Sequence, residues 1–206
     1  MNQDFHPFFT DEDIELFQLI VGPVANNVYV VRCRQTGESI LIDAANEAEK
    51  LLKICSSLNV RSILETHGHW DHIAAVPEIR DAGYSVAVSL QDSKMLEGYD
   101  QIIGQGDVIT VGRLKIDVIH TPGHTPGSLT FHVRDSRLLF TGDTLFPGGP
   151  GATHFPGGDF STIIDSITNK IFAHFGPETL VFPGHGDSTQ VGIESLALES
   201  WVARGW

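Results

Sequence analysis

The sequence is short of cysteine, of basic charge and of long apolar runs. Its only cysteines are Cys33 and Cys55, which fall in an expected strand and an expected helix without Cys-x-x-Cys spacing. They read as buried, reduced thiols rather than a disulfide or a thiolate metal site, which favours a cytoplasmic address. Lys and Arg number 13 against 26 Asp and Glu, for a net charge of −13. Phosphate recognition needs clustered cations, so this balance argues against a nucleic-acid partner. No apolar run approaches the about 18 residues of a membrane span. The start, Met1-Asn2-Gln3-Asp4-Phe5-His6, is polar and has no basic leader region, so neither insertion nor secretion is expected.

What is present suits one α/β domain over residues 1–206, a length ample for a large core. Apolar runs at 16–21, 28–33 and 39–43 read as strands, with Asn26-Asn27 and Thr36-Gly37 as turns. Residues 46–58 carry apolar side chains at Ala48, Leu51, Leu52 and Cys55, which is a helical repeat. Strand 61–65 follows, then a helix over 71–82 with Ile73, Val76 and Ile79 inward. Further strands are expected at 85–89, 108–111, 114–119, 128–133, 137–140 and 179–182, and further helices at 160–174 and 191–203. The Gly/Pro-rich stretch 146–158 has no apolar period and reads as a functional loop.

The chemistry is concentrated in Thr66-His67-Gly68-His69-Trp70-Asp71-His72, where four metal-capable side chains occupy six positions directly after an apolar run. Imidazole and carboxylate suit zinc, iron or manganese. Three more ligand types stand in Gly- or Pro-marked turns: His124 in His120-Thr121-Pro122-Gly123-His124, Asp143 in Phe140-Thr141-Gly142-Asp143, and His185 in Phe182-Pro183-Gly184-His185-Gly186. A catalytic zinc takes about three protein ligands plus water, so seven candidates suggest two metals a few ångströms apart. Asp71 could instead cap the helix it begins, and Asp143 could serve its turn, but His72 beside the former and the recurring ligands around the latter favour ligation. Of the remaining histidines only His154, inside the 146–158 loop, is a candidate for substrate contact. Trp70, flanked by candidate ligands, is expected to pack against or shield the metals.

Four motifs in order, His-x-His-x-Asp-His at 67–72, Thr-Pro-Gly-His-Thr-Pro-Gly-Ser ending at Ser128, Gly-Asp-Thr-Leu-Phe at 142–146 and Pro-Gly-His-Gly at 183–186, resemble the metallo-β-lactamase superfamily in its glyoxalase II-like branch. The resemblance implies an αββα sandwich, two mixed sheets covered by helices. It assigns His67, His69 and His124 to one metal and Asp71, His72 and His185 to a second, with Asp143 bridging. It implies two divalent ions, zinc foremost with iron or manganese as alternatives, and a metal-bridging hydroxide that hydrolyses a thioester or related ester, with Asp71 and Asp143 as the catalytic carboxylates. The partner is then a small-molecule substrate, with no membrane or nucleic acid, and a homo-oligomer is compatible. Thr66, Thr121 and Thr144 are candidates to fix imidazole tautomers.

The chain departs from glyoxalase II after Phe146, where a Gly-Cys-Gly-Arg-type segment is replaced by Gly148-Gly149-Pro150-Gly151-Ala152-Thr153. The basic residue is missing, and the chain ends at Trp206, so a thioester class is better supported than glutathione itself. Two other readings use the same motifs. A lactonase would apply the same hydroxide to cyclic esters. A persulfide dioxygenase would hold one iron through His67, His124 and Asp143.

Overall fold

The structure, a computed structural model, describes residues 5–205. The reading of Met1 to Asp4 as leaderless, and Trp206, lie outside them. Among the described residues no helix is long and apolar enough to cross a membrane.

The first half of the chain builds a seven-stranded mixed sheet. Strands β1 (Phe9–Thr10), β2 (Ile14–Val21), β3 (Asn26–Cys33) and β4 (Ser39–Ile42) form an antiparallel meander. Helix α1 (Ala48–Ser57) crosses to β5 (Val60–Leu64), parallel to β4; α2 (Trp70–Ile73) and α3 (Val76–Asp81) cross to β6 (Ser85–Val88), and β7 (Gln101–Ile102) closes the edge. Parallel neighbours need such helical crossovers, and the crossovers place the ends of β4, β5 and β6 on one side.

The second half adds a six-stranded mixed sheet. Strands β8 (Val108–Val111), β9 (Leu114–His120), β10 (Leu129–Val133) and β11 (Leu138–Gly142) are antiparallel. A small ribbon, β12 (Leu145–Phe146) with β13 (Gly149–Pro150), precedes α4 (Phe160–Ser166); β14 (Leu180–Pro183) then pairs parallel with β11, and β15 (Thr189–Gln190), α5 (Val191–Glu194) and α6 (Leu198–Arg204) finish the chain.

Alternation along the strands explains the layering. Leu16, Tyr29, Val31, Ile40 and Ile42 on the first sheet meet Ile116, Val118, Phe131 and Phe140 on the second. The opposite faces also carry apolar residues, so each sheet is covered: Phe17, Val30 and Leu41 pack on Leu51, Ile54 and Ile79, and Leu139 and Val181 pack on Ile163, Ile167 and Trp201. The expected αββα sandwich is therefore present, and Cys33 and Cys55 are buried, free thiols in β3 and α1 as expected.

Three expected helices differ. The helix expected over 71–82 is two pieces, because Pro77 in the first turn of α3 cannot donate to the preceding turn and its ring crowds the carbonyl of Ile73. The helix expected over 160–174 is α-helical to Ser166 and π-helical over Ile167–Phe172. The helix expected over 191–203 is likewise interrupted, by a 3₁₀ turn at Ser195–Ala197.

Candidate metal centre

All seven sequence candidates converge at one end of the sandwich. His67, His69 and His124 form one group, Asp71, His72 and His185 another, and His67, His72 and Asp143 a third between them; within each group the ligand atoms lie within 4.8 Å of one another. Different elements deliver them. His67 and His69 follow β5, Asp71 and His72 sit in α2, His124 lies in the β9–β10 turn, Asp143 follows β11 and His185 follows β14. Both sheets thus contribute, and the site spans their junction. Gly184 permits the closure: a Cβ there would stand 2.3 Å from Asp143 Oδ1 and 2.6 Å from His72 Cε1.

Hydrogen bonds behind the ligands fix which ring nitrogen faces inward. Asp43, at the end of β4 with φ of 65°, accepts from the Thr66 peptide N–H at 2.7 Å and from Thr66 Oγ1 at 2.8 Å. Its Oδ2 also lies 2.8 Å from His72 Nδ1, and Thr66 Oγ1 lies 3.0 Å from His67 Nδ1. Because the Thr66 hydroxyl donates to Asp43, it accepts from His67 Nδ1–H and leaves Nε2 as a lone pair. His124 Nδ1 donates to the Ala152 carbonyl at 2.7 Å and His185 Nδ1 to the Val24 carbonyl at 3.1 Å. Asn26 Nδ2 donates to Asp71 Oδ2 at 3.0 Å.

The inward-facing atoms fit a cation. His72 Nε2 and His185 Nε2 stand 3.2 Å apart with their Nδ1 atoms already committed, an approach that repels unless a proton or a cation lies between. His67 Nε2 and Asp143 Oδ1 are buried with no hydrogen-bond partner, in a region where buried polar atoms are ordinarily satisfied. Burial pushes the imidazoles of His67, His69 and His124 below their usual range, His67 well below, which keeps them in the neutral form that ligates. Burial would also lower His72 and His185, but Asp143 with Asp43 raises the first well above the usual range, and Asp71 with Asp143 raises the second. Burial works to raise the Asp71 and Asp143 carboxyls, yet His185 and His72 hold Asp71 down, and His72, His124 and His185 hold Asp143 down. The carboxylates therefore call for positive charge at the centre of the cluster.

The alternative weighed for Asp71, capping of α2, is not adopted: His69 occupies the cap position, and Asp71 turns to Asn26 and His185. Two other expectations are corrected. Thr121 and Thr144 bond to each other, and Thr121 also to Thr130, so of the three threonines only Thr66 reaches a histidine. Trp70, the first residue of α2, is 63 % exposed rather than packed against the cluster, whereas His72 in the same helix is buried. His154 is exposed and packs on Phe155, with ring centroids 4.2 Å apart. Phe155 is the loop residue whose ring faces the cluster, 5.4 Å from His69 and 6.4 Å from His124. Sequence reasoning passed over Phe155, Asp43 and Asn26; the one available signal was Asp43's place after the apolar run of β4.

Comparison with known proteins shows relatives and solved structures of the same fold. A hydroxyacylglutathione hydrolase from Rhodospirillum rubrum is 38 % identical over 171 residues, covering 82 % of this chain and 64 % of the relative. Hydroxyacylglutathione hydrolase GloC from Haemophilus influenzae is 31 % identical over 176 residues, covering 75 % and 82 %. Among solved structures, BLEG-1 B3 metallo-beta-lactamase superposes with a TM-score of 0.81 at 31 % identity, covering 87 % of this chain and 95 % of that one. ETHE1 from Myxococcus xanthus gives 0.77 at 29 %, covering 87 % and 81 %, and TTHA1623 in a di-iron-bound form gives 0.77 at 29 %, covering 87 % and 96 %. The model of the metallo-beta-lactamase superfamily matches residues 21–185, a span that holds every one of the seven clustered side chains, and the chain belongs to that superfamily of metal-binding hydrolases.

Proposed function

We propose that the chain is a dinuclear metal-dependent hydrolase of thioesters, similar to glyoxalase II. The observation that carries this reading is the placement of Asp143. Its Oδ2 lies 3.6 Å from His124 Nε2 and 3.7 Å from His185 Nε2, while Oδ1 lies 3.5 Å from His72 Nε2. One carboxylate thus faces histidines of both candidate ligand sets, which supports a bridging role. When bound, two divalent ions, zinc foremost, would lower the pKa of a bound water toward neutrality and polarise the substrate carbonyl. His67, His69 and His124 would hold the first, Asp71, His72 and His185 the second.

The chain's own part is positioning. Asp43 and Thr66 hold two imidazoles in the right tautomer, and Asn26 holds Asp71 against rotation. Phe155 presents an apolar ring beside His69, where it would pack a substrate and exclude water from the carbonyl under attack. Hydrolysis adds water across the acyl–sulfur bond and releases an acid and a thiol; a thiolate leaves with little need of protonation, which suits a site built from ligands rather than acids. The names of the Haemophilus and Rhodospirillum relatives support this class of substrate.

A second reading, a mononuclear-iron dioxygenase acting on persulfides, is supported by the likeness to ETHE1. It would use His67, His124 and Asp143 and leave Asp71, His72 and His185 without a role. Thiol release from S-D-lactoylglutathione and a panel of other thioesters separates the two. Release by the two-metal protein is expected; one iron per chain with dioxygen consumption would overturn the hydrolase, and turnover of lactones alone would overturn the thioesterase.

A further inference from the structure

Asp92 is fully buried, in the turn after β6, and is no member of the seven-residue cluster. Its carboxylate collects three donors from two separate loops. Oδ2 accepts from the Gly68 peptide N–H at 3.0 Å and from Thr125 Oγ1 at 2.6 Å; Oδ1 accepts from the Gly127 peptide N–H at 2.8 Å. Gly68 stands between His67 and His69. Thr125 follows His124 directly, and Gly127 belongs to the same turn. The contact is close because glycine makes it so: a Cβ on Gly127 would lie 2.5 Å from Asp92 Cγ and 2.1 Å from Ser89 Oγ.

The two loops come from different sheets. His67 and His69 leave β5 of the first sheet, while His124 lies between β9 and β10 of the second. The spacing of that histidine triplet therefore depends on how the sheets pack, and two ties cross at this point: the Leu129 peptide N–H donates to the Thr66 carbonyl at 2.7 Å, and Asp92 joins the loops themselves. A carboxylate buried here is tolerable only with its donors in place. The second ligand set has its own support, through the Asn27 peptide N–H to the Gly184 carbonyl at 2.7 Å and Asn26 to Asp71. We propose that Asp92 is a positioning residue that sets the spacing of His67 and His69 to His124, and so tunes metal affinity at that half of the centre alone. The proposal rests on the dinuclear reading above.

The test is metal competition on the apo-protein reloaded with Co²⁺, titrated against a chelator, for the wild type, Asp92→Asn and Thr125→Val. An amide at position 92 leaves the Gly68 or the Gly127 N–H facing another donor, and valine removes the Thr125 hydroxyl. Because groups supporting a ligand commonly account for about 10- to 100-fold in metal affinity, each variant is expected to weaken one of the two ions at least about 10-fold and the other less than about 2-fold. Thr125→Ser, which keeps the hydroxyl, should restore the wild-type value. Equal weakening of both ions, or no weakening in either variant, would overturn the inference, as would a loss of thermal stability with both affinities intact. If Asp92→Asn does not fold, Thr125→Val and Thr125→Ser decide the matter. A wild type that holds a single ion refutes the dinuclear reading separately, and the affinity of that ion then tests the Asp92 tie by itself.

Discussion

On the proposed function, Asp143 would serve the metal side of the centre and Phe155 the substrate side. Asp143→Asn keeps the shape of the side chain but removes the charge that faces His72, His124 and His185. It is expected to lower kcat by at least about 100-fold and to lose metal, measured together by steady-state kinetics and metal analysis; near-normal turnover would refute the bridge. Phe155→Ala should act on substrate instead, raising KM by about 10-fold with metal content unchanged, because a ring over a reacting group contributes about 1 to 2 kcal/mol of packing. His154→Ala should move KM less than Phe155→Ala does, since the His154 ring packs on that of Phe155 and it is the Phe155 ring that neighbours His69; the reverse order would favour His154 as the contact. The clustering of the seven candidate ligands was legible because each is a polar side chain in a short motif at a strand end. Phe155 was not, because an aromatic in a Gly/Pro loop has no period to betray which way it points. Trp70 misled for a related reason: its neighbours are ligands, but a helix turns adjacent side chains about 100° apart.

Between elements, Asp43 ties β4 to the segment after β5 and to α2. It ends β4, bonds the peptide and hydroxyl of Thr66 beyond β5, and holds His72 in α2. Asp43→Ala would leave these buried groups without an acceptor. A loss of about 3 kcal/mol is expected in denaturant unfolding of the metal-free protein, at about 1 to 3 kcal/mol for each group left unpaired; a change below about 0.5 kcal/mol would show that the contacts are dispensable. The strands and helices with several apolar turns were legible from periodicity alone. The two-residue strands β1, β7, β12, β13 and β15 were not, since two residues show no alternation and their pairing is decided by the neighbouring strand. The break between α2 and α3 was legible in principle at Pro77, but the apolar spacing of Ile73, Val76 and Ile79 runs through it and masks the interruption.

At the scale of the molecule, the two sheets share one core, and the metal centre closes one end of the seam between them. Ligands from both sheets mean that a bound ion cross-links the halves of the sandwich and stabilises only the folded state. Removal of metal by a chelator should therefore lower the thermal midpoint by about 5 to 10 °C, from about 2.7 kcal/mol at a hundredfold excess over Kd and about 2 to 4 °C per kcal/mol for a chain of this size; an unchanged midpoint would mean that the halves are held without it. The sandwich was legible as α/β from its alternating elements, but the pairing of β11 with β14 joins segments about forty residues apart, and periodicity carries no register over that distance. The resemblance of the four motifs supplied what periodicity could not. The most direct test of the account is the metal content of the purified protein, counted per chain by mass spectrometry under native conditions. Two divalent ions per chain, reduced in Asp143→Asn, are the predicted result; a single ion that persists in Asp143→Asn would contradict the account.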